Sequence, residues 1–133
     1  MQNSTRPTIM IVDDYDDIRA ILKRWLEEVG YHVVEATNGR EAVEMAESER
    51  PELILMDLAL PEVDGFAAAV RIRSHEDLHD VPIIAISAFG ELGVDDQLKI
   101  DPHPADFNAY LPKPFAPQKL LDLVSQYLPK TAL

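Results

Sequence analysis

Short apolar runs alternate with amphipathic runs along the whole chain, and this alternation restricts the fold more than any other feature. Five apolar runs are short enough to be strands, and they span residues 8–12, 32–36, 53–56, 81–86 and 108–111. Continuous apolar character is typical of strands that are buried on both faces of a sheet. Strands that are separated by helices imply right-handed crossovers and a parallel sheet. The pattern therefore predicts an α/β fold of five strands alternating with five helices.

The predicted helices follow from apolar residues that recur one turn apart. The first helix has the inward stripe Ile18, Ile21, Leu22, Trp25, Leu26 and Val29, and Gly30 ends it. The second begins at Asn38 or Gly39 and runs to about Glu49, with Ala42, Val43 and Ala46 inward. The third spans 66–74, with Phe66, Ala69 and Val70 facing the core. A short fourth helix is predicted within 90–107, where Pro102 and Pro104 must end it. The last begins near Pro117.

Composition fits one folded domain in 133 residues, of which 47% are hydrophobic and 27% are charged. We predict a domain at 8–129, a flexible leader at 1–7 and a tail at 130–133. The net charge of −12 would repel nucleic-acid phosphates, so direct nucleic-acid binding is not expected. The chain has no cysteine and no long apolar run, which favours a cytoplasmic protein without a disulfide framework or a membrane span.

The residues that can carry chemistry follow the carboxyl ends of the predicted strands. Asp13 and Asp14 follow the first strand, Asp57 ends the third, Ser87 ends the fourth and Lys113 ends the fifth. Ligands of open parallel sheets bind at this edge. We therefore expect all five side chains to converge at one site, although they are far apart in the sequence.

Three clustered carboxylates stay ionised together only if a cation joins them, and oxygen ligands of this kind suit Mg²⁺. Lys113 could pair with Asp57 and then with a phosphate placed on it, and Ser87 could donate to the same phosphate. Asp57 would then be the nucleophile for a phosphoryl group. Each residue alone also has a structural interpretation, because an acid pair before a helix is often only a cap. Their coincidence at one edge favours the functional interpretation.

Several short motifs, taken in order, resemble the CheY-like receiver domains of bacterial response regulators in two-component signal transduction. The motifs are Ile11-Val12-Asp13-Asp14, Leu55-Met56-Asp57-Leu58, Pro61 with Asp64-Gly65, Ser87-Ala88, and Lys113-Pro114-Phe115. The resemblance extends from about Thr8 to Leu128. It implies a flavodoxin-like, doubly wound (βα)5 fold whose five-stranded parallel sheet has the order 2-1-3-4-5.

The resemblance also implies a role for each matching residue. Asp57 would be the phosphoacceptor, and Mg²⁺ would be held by Asp14, Asp57 and the backbone carbonyl of Ala59. Asp13 would help through a water molecule, and Lys113 would contact the phosphoryl group.

A switch is implied in addition, in which Ser87 moves toward the phosphate and Tyr110 swings inward. The peptide bond before Pro114 would be cis. Two departures stand out: Ser87 replaces the more frequent threonine, and the stretch 99–108 is longer than usual and carries Pro102, His103 and Pro104.

The implied partners are proteins. A sensor histidine kinase or a histidine phosphotransfer protein would donate the phosphoryl group, and a downstream protein or a second copy of the chain would read the switched surface. In the sequence given, no DNA-binding or catalytic module follows Leu128. The chain would then be no enzyme beyond its own phosphorylation and dephosphorylation.

Two alternatives remain open. The segment Asp14-Tyr15-Asp16 also fits a phosphatase that resembles the haloacid dehalogenase superfamily. Ile18, the short chain and the lack of an acidic pair after Lys113 oppose that interpretation. A receiver-like scaffold that works without phosphorylation is the second alternative, but such a scaffold would normally lose an acid or the lysine.

Overall fold

A computed structural model describes residues 6–58, 65–88 and 107–128 of the chain. Its five strands are β1 (Thr8–Val12), β2 (His32–Ala36), β3 (Leu53–Asp57), β4 (Ile83–Ala88) and β5 (Ala109–Lys113). They form one sheet in the order β2-β1-β3-β4-β5, and every neighbouring pair is parallel. The predicted flavodoxin-like architecture and its strand order are confirmed.

Four α-helices are described: α1 (Asp16–Glu28), α2 (Gly39–Glu49), α3 (Gly65–Arg73) and α4 (Pro117–Tyr127). A 3-10 helix at Glu76–Leu78 precedes β4. The label α4 belongs to the last of the five predicted helices. The predicted helix within 90–107 falls outside the described residues, apart from Phe107. None of the described helices is long and apolar enough to cross a membrane.

The core consists of two apolar clusters, one on each face of the sheet. On one face, Leu22 and Leu26 of α1 and Leu120 and Val124 of α4 pack against the odd-numbered residues of β1 and β3. On the other, the small residues of α2 and α3 pack against the even-numbered residues of the same strands. Burial on both faces explains why β1 and β3 are apolar at successive positions.

The inward face of α3 differs from the predicted one. Its buried residues are Gly65, Ala68, Ala69 and Ile72, whereas Val70 is 52% exposed. The predicted stripe was placed one residue too far along because it was built on the larger side chains. Phe66 does pack against the core and Ala69 is buried, both as predicted.

The first helix also buries less of its stripe than predicted. Leu22 and Leu26 are buried, but Ile18 is 36% exposed and Ile21 is 45% exposed. These two isoleucines line an apolar cavity of about 240 Å³, together with Trp25, the Lys113-Pro114-Phe115 segment and others.

Two strands are shifted along the chain relative to the prediction. The β4 strand begins at Ile83, because the Val81 amide donates to the Leu78 carbonyl in the preceding turn. It continues to Ala88, so Ser87 lies inside the strand. The β5 strand extends to Lys113 and contains Pro112, which an edge strand tolerates.

Candidate functional site

Three carboxylates meet at the carboxyl edge of the sheet. Asp13 and Asp14 directly follow β1, and Asp57 ends β3, which is the neighbour of β1. One carboxylate oxygen from each residue lies within 4.8 Å of the other two. Asp13 and Asp57 are each only 2% exposed, whereas Asp14 is exposed. The predicted convergence of these three acids is therefore present in the fold.

The turn that carries Asp13 and Asp14 is held by hydrogen bonds from three directions. The Asp13 amide donates to the Ala36 carbonyl at the end of β2, at 3.1 Å. The Asp13 carboxylate accepts from the Tyr15 amide at 2.9 Å. The backbone carbonyl of Asp13 accepts from Nη1 of Arg19 at 2.8 Å. The chain then enters α1, whose first turn contains Asp16 and Asp17, a favourable place for negative charge.

Arg19 is a residue of this site that the sequence interpretation missed. Besides the Asp13 carbonyl, its guanidinium binds the carboxylates of Asp16 at 2.6 Å and Glu35 at 3.0 Å. Burial opposes the charged form of Arg19, but the hydrogen bonds to Asp16 and Glu35 outweigh it, so the pKa of Arg19 is raised. The only signal in the sequence is its spacing of three residues from Asp16, which is common for surface ion pairs on helices and does not indicate a contact with Asp13.

Lys113 brings a positive charge to the acidic cluster. Its Nζ lies 3.6 Å from Oδ2 of Asp57, in an ion pair whose lysine side chain is 30% exposed. The Lys113–Pro114 peptide bond is cis, as the resemblance implied. Beyond it, Phe115 meets Trp25 of α1 edge-on, with ring centroids 6.5 Å apart.

Ser87 and Tyr110 lie on the same face of the sheet. Ser87 is 1% exposed, and it follows Ile86, the residue that pairs with Asp57. Tyr110 pairs with Ala85, which is two residues before Ser87 and points to the same side. The half-buried Tyr110 ring lies 5.7 Å from that of Phe107, a buried residue that the sequence analysis did not single out.

Gly65, the first residue of α3, lies against the backbone at the end of β3. A Cβ at this residue would lie 2.6 Å from the backbone carbonyl oxygen of Asp57 and 2.9 Å from Cα of Leu58. Only a residue without a side chain lets α3 begin this close to the end of β3. The predicted metal ligand Ala59, together with Pro61 and Asp64 of the motif, lies outside the described residues.

The donor set fits a small hard cation. Carboxylate oxygens are the ligands that Mg²⁺ prefers, and the described residues offer three of them in one cluster. The three acids and the neighbouring Lys113 together leave a net negative charge at the cluster. A bound cation would therefore relieve the mutual repulsion of the carboxylates.

The chain matches known proteins over nearly its whole length. Residues 9–125 match the response regulator receiver domain family. The transcriptional regulatory protein SrrA of Staphylococcus aureus is 37% identical over 123 residues, which are 92% of this chain and 48% of SrrA. The chain thus spans about half the length of the curated relatives it matches.

Solved structures of receiver domains and related proteins are also similar to this chain. The receiver domain of the sensor histidine kinase PA1611 from Pseudomonas aeruginosa PAO1, which has a magnesium ion coordinated in its active site cleft, is 31% identical with a TM-score of 0.79. The alignment covers 92% of this chain and 98% of that domain. The chemotaxis protein CheY4 of Vibrio cholerae is 27% identical with a TM-score of 0.83, over 93% of this chain and all of CheY4 (100%). The chain belongs to the response regulator receiver domain family.

Proposed function

We propose that Asp57 accepts a phosphoryl group in a reaction that depends on Mg²⁺. The observation that carries the proposal is the surroundings of this carboxylate. It is nearly buried, it lies within 4.8 Å of two further acids, and an ammonium group lies 3.6 Å away. A buried nucleophile between acids and a lysine suits the transfer of an anionic group, for which a protein mainly supplies position and neutralising charge.

The metal would be held by Asp14, Asp57 and the Ala59 carbonyl, with Asp13 acting through water. When bound, Mg²⁺ supplies positive charge that neutralises the phosphoryl oxygens. Two observations support this division of roles: Asp14 is exposed, and one oxygen of the Asp13 carboxylate already accepts the Tyr15 amide.

The chemistry is one displacement at phosphorus. An oxygen of the Asp57 carboxylate attacks, a new P–O bond forms, and the P–N bond of the donor phosphohistidine breaks. The imidazole nitrogen leaves with the electron pair and takes up a proton. Lys113, which pairs with the Asp57 carboxylate before the reaction, then pairs with the phosphoryl oxygens of the aspartyl phosphate.

Ser87 and Tyr110 would convert this modification into a change of surface. The Ser87 hydroxyl donates to a phosphoryl oxygen, a charge-assisted bond worth about 1.5–3 kcal/mol. Tyr110 then rotates into the space that Ser87 leaves on the same face of the sheet. Phosphorylation in this scheme shifts an existing equilibrium between two arrangements of the β5 region.

The donor would be a sensor histidine kinase or a histidine phosphotransfer protein in the cytoplasm. The switched surface would be read by a protein target or by a second copy of the chain. The two relatives above, a sensor kinase and a transcriptional regulator, suggest two kinds of larger protein in which such a domain works. Because the net charge of the chain is −12, we expect it not to bind nucleic acid directly. We also expect it to catalyse only its own phosphorylation and dephosphorylation.

Intact-mass spectrometry tests this proposal. The chain is incubated with acetyl phosphate and Mg²⁺, and we expect the mass of one added phosphoryl group. Asp57→Asn should show none, and neither should wild type with a chelator in place of Mg²⁺. Addition that persists in Asp57→Asn would assign the acceptor elsewhere. An unmodified wild type, with both acetyl phosphate and a phosphorylated histidine protein as donor, would favour the scaffold alternative.

A further inference from the structure

Arg19 connects three parts of the structure that surround the acidic cluster. Its Nη1 donates to the Asp13 carbonyl at 2.8 Å, its Nη2 to Asp16 at 2.6 Å, and its Nε to Glu35 at 3.0 Å. The side chain is only 11% exposed. Because the guanidinium is planar and rigid, three acceptors in different directions leave it little freedom.

Two hydrogen bonds restrain the backbone on either side of Asp14, and Arg19 makes the first of them. The carbonyl that precedes Asp14 belongs to Asp13 and accepts from Arg19. The amide that follows Asp14 belongs to Tyr15 and donates to the Asp13 carboxylate at 2.9 Å. The turn that presents two of the three clustered acids is thus held by hydrogen bonds within the chain.

We propose that Arg19 is a positioning residue for the metal site, and the proposal rests on the function proposed above. Arg19 would not touch the cation. It would hold the Asp13–Asp14 turn in the arrangement that binds Mg²⁺, so that little ordering of the turn remains to oppose binding.

Charge and position predict opposite effects of removing Arg19. A guanidinium beside the cluster repels a divalent cation, so charge alone predicts tighter Mg²⁺ binding when it is removed. Loss of positioning predicts weaker binding, and outer partners of metal ligands typically contribute about 10–100-fold to metal affinity. The contribution of charge is smaller because Arg19 is already paired with the carboxylates of Asp16 and Glu35, which offset much of its repulsion of a cation. The direction of the change therefore separates the two roles.

Lys23 provides a matched control on the same helix. Its Nζ pairs with the same Glu35 carboxylate at 3.4 Å, so it too is a cation near the site. Within the described part of the chain it does not donate to the Asp13 carbonyl. A change that removes only positive charge can thus be compared with one that also releases the turn.

The experiment measures the Mg²⁺ dissociation constant from backbone amide shifts in wild type, Arg19→Met, Arg19→Lys and Lys23→Met. We expect Arg19→Met to bind Mg²⁺ about tenfold more weakly or worse. Arg19→Lys should also bind more weakly, although it keeps the charge, whereas Lys23→Met should bind as well as wild type or more tightly. Without metal, the Tyr15 amide should exchange its hydrogen faster in Arg19→Met than in Lys23→Met.

The outcomes separate this inference from the proposed function. If wild type binds no Mg²⁺, the metal site itself is wrong and the inference falls with it. If wild type binds Mg²⁺ but Arg19→Met binds equally well or more tightly, only the positioning role is overturned. Equal weakening by Lys23→Met would also overturn it. Should Arg19→Met fail to fold, Arg19→Lys decides by the same comparison.

Discussion

Glu41 stabilises the start of α2 through hydrogen bonds that favour its charged form. Its Oε1 accepts the Thr37 amide at 2.7 Å and the Thr37 hydroxyl at 2.9 Å, while its own amide donates to the Asn38 side chain. This is close to a capping box, shifted by one residue. The backbone bond from Thr37 is the main reason why the pKa of Glu41 is lowered from 4.5, against the opposing effect of burial.

The lowered pKa gives the stabilisation a defined pH range. Because the folded pKa lies below the ordinary value of 4.5, the contribution is complete above 4.5 and is lost as pH falls through the folded value. Glu41→Gln should lower the free energy of unfolding by about 1 kcal/mol near neutral pH. Urea unfolding near neutral pH and in acid would show this difference shrinking in acid. Glu44→Gln on the same helix is the control, and an equal loss for Glu41→Gln at both pH values would contradict the assignment.

The site residues that lie at strand ends could be predicted because topology alone brings them together. Asp13, Asp14, Asp57 and Lys113 need only a parallel sheet to meet at one edge. The role of Arg19 could not be predicted in this way. It depends on how α1 passes over the end of β2, where Glu35 and the Asp13 carbonyl both come within reach.

At the scale of elements, α3 and β3 approach each other so closely that a side chain cannot fit between them. Gly65→Ala would place a Cβ 2.6 Å from the Asp57 carbonyl oxygen, and backbone atoms cannot give way as a flexible side chain does. We expect a loss of about 1–3 kcal/mol in the free energy of unfolding, which is typical of overpacking. Phosphorylation of Asp57 should also slow, because the end of β3 must shift.

Ala67→Val is the control for this prediction, since Ala67 lies on the exposed side of the same helix. Thermal unfolding and the rate of phosphoryl addition are measured for both variants. An unchanged stability and rate in Gly65→Ala would mean that the contact between α3 and β3 relaxes without cost. Equal effects in Ala67→Val would assign the loss to α3 in general rather than to this contact.

The same elements show where sequence patterns reach their limit. On α3, the observed stripe at 65, 68, 69 and 72 and the predicted stripe at 66, 69 and 70 both have helical spacing. Hydrophobicity favours the second stripe because it contains Phe66 and Val70. The structure uses the first, because glycine and alanine let α3 pack closely on the sheet and on α2. Backbone bonding likewise set the start of β4, which no side-chain pattern records.

At the scale of the whole molecule, the alternation of strands and helices was sufficient to predict the architecture. A buried parallel sheet needs apolar strands and crossover helices, and both leave clear periodic patterns. The strand order came from the resemblance and is confirmed. The predicted roles of Ala59 and of the 90–107 helix fall outside the described residues, except at Phe107, and they stay predictions.

The proposed switch links the site to the rest of the molecule through one face of the sheet. Ser87 and Tyr110 share that face, and Tyr110 packs beside Phe107, which in turn meets Phe66 of α3 edge-on at 5.5 Å. Movement of Tyr110 would therefore change the packing of Phe107, just before β5, and of Phe66 on α3. A difference in the position of the Tyr110 ring with and without a phosphoryl mimic would show that the switch operates.

A crystal structure of the chain with Mg²⁺ and beryllofluoride, beside one with neither, would show whether Asp57 is the phosphoacceptor of a magnesium site. Beryllofluoride mimics a phosphoryl group on a carboxylate, so it reports the acceptor and the metal ligands in one experiment. We expect beryllium bonded to a carboxylate oxygen of Asp57, with Mg²⁺ in contact with Asp14, Asp57 and the Ala59 carbonyl. Lys113 and Ser87 should contact the fluorides. Beryllofluoride on another residue, or Mg²⁺ held away from the three acids, would show that Asp57 is not the acceptor or that the three acids do not form the metal site.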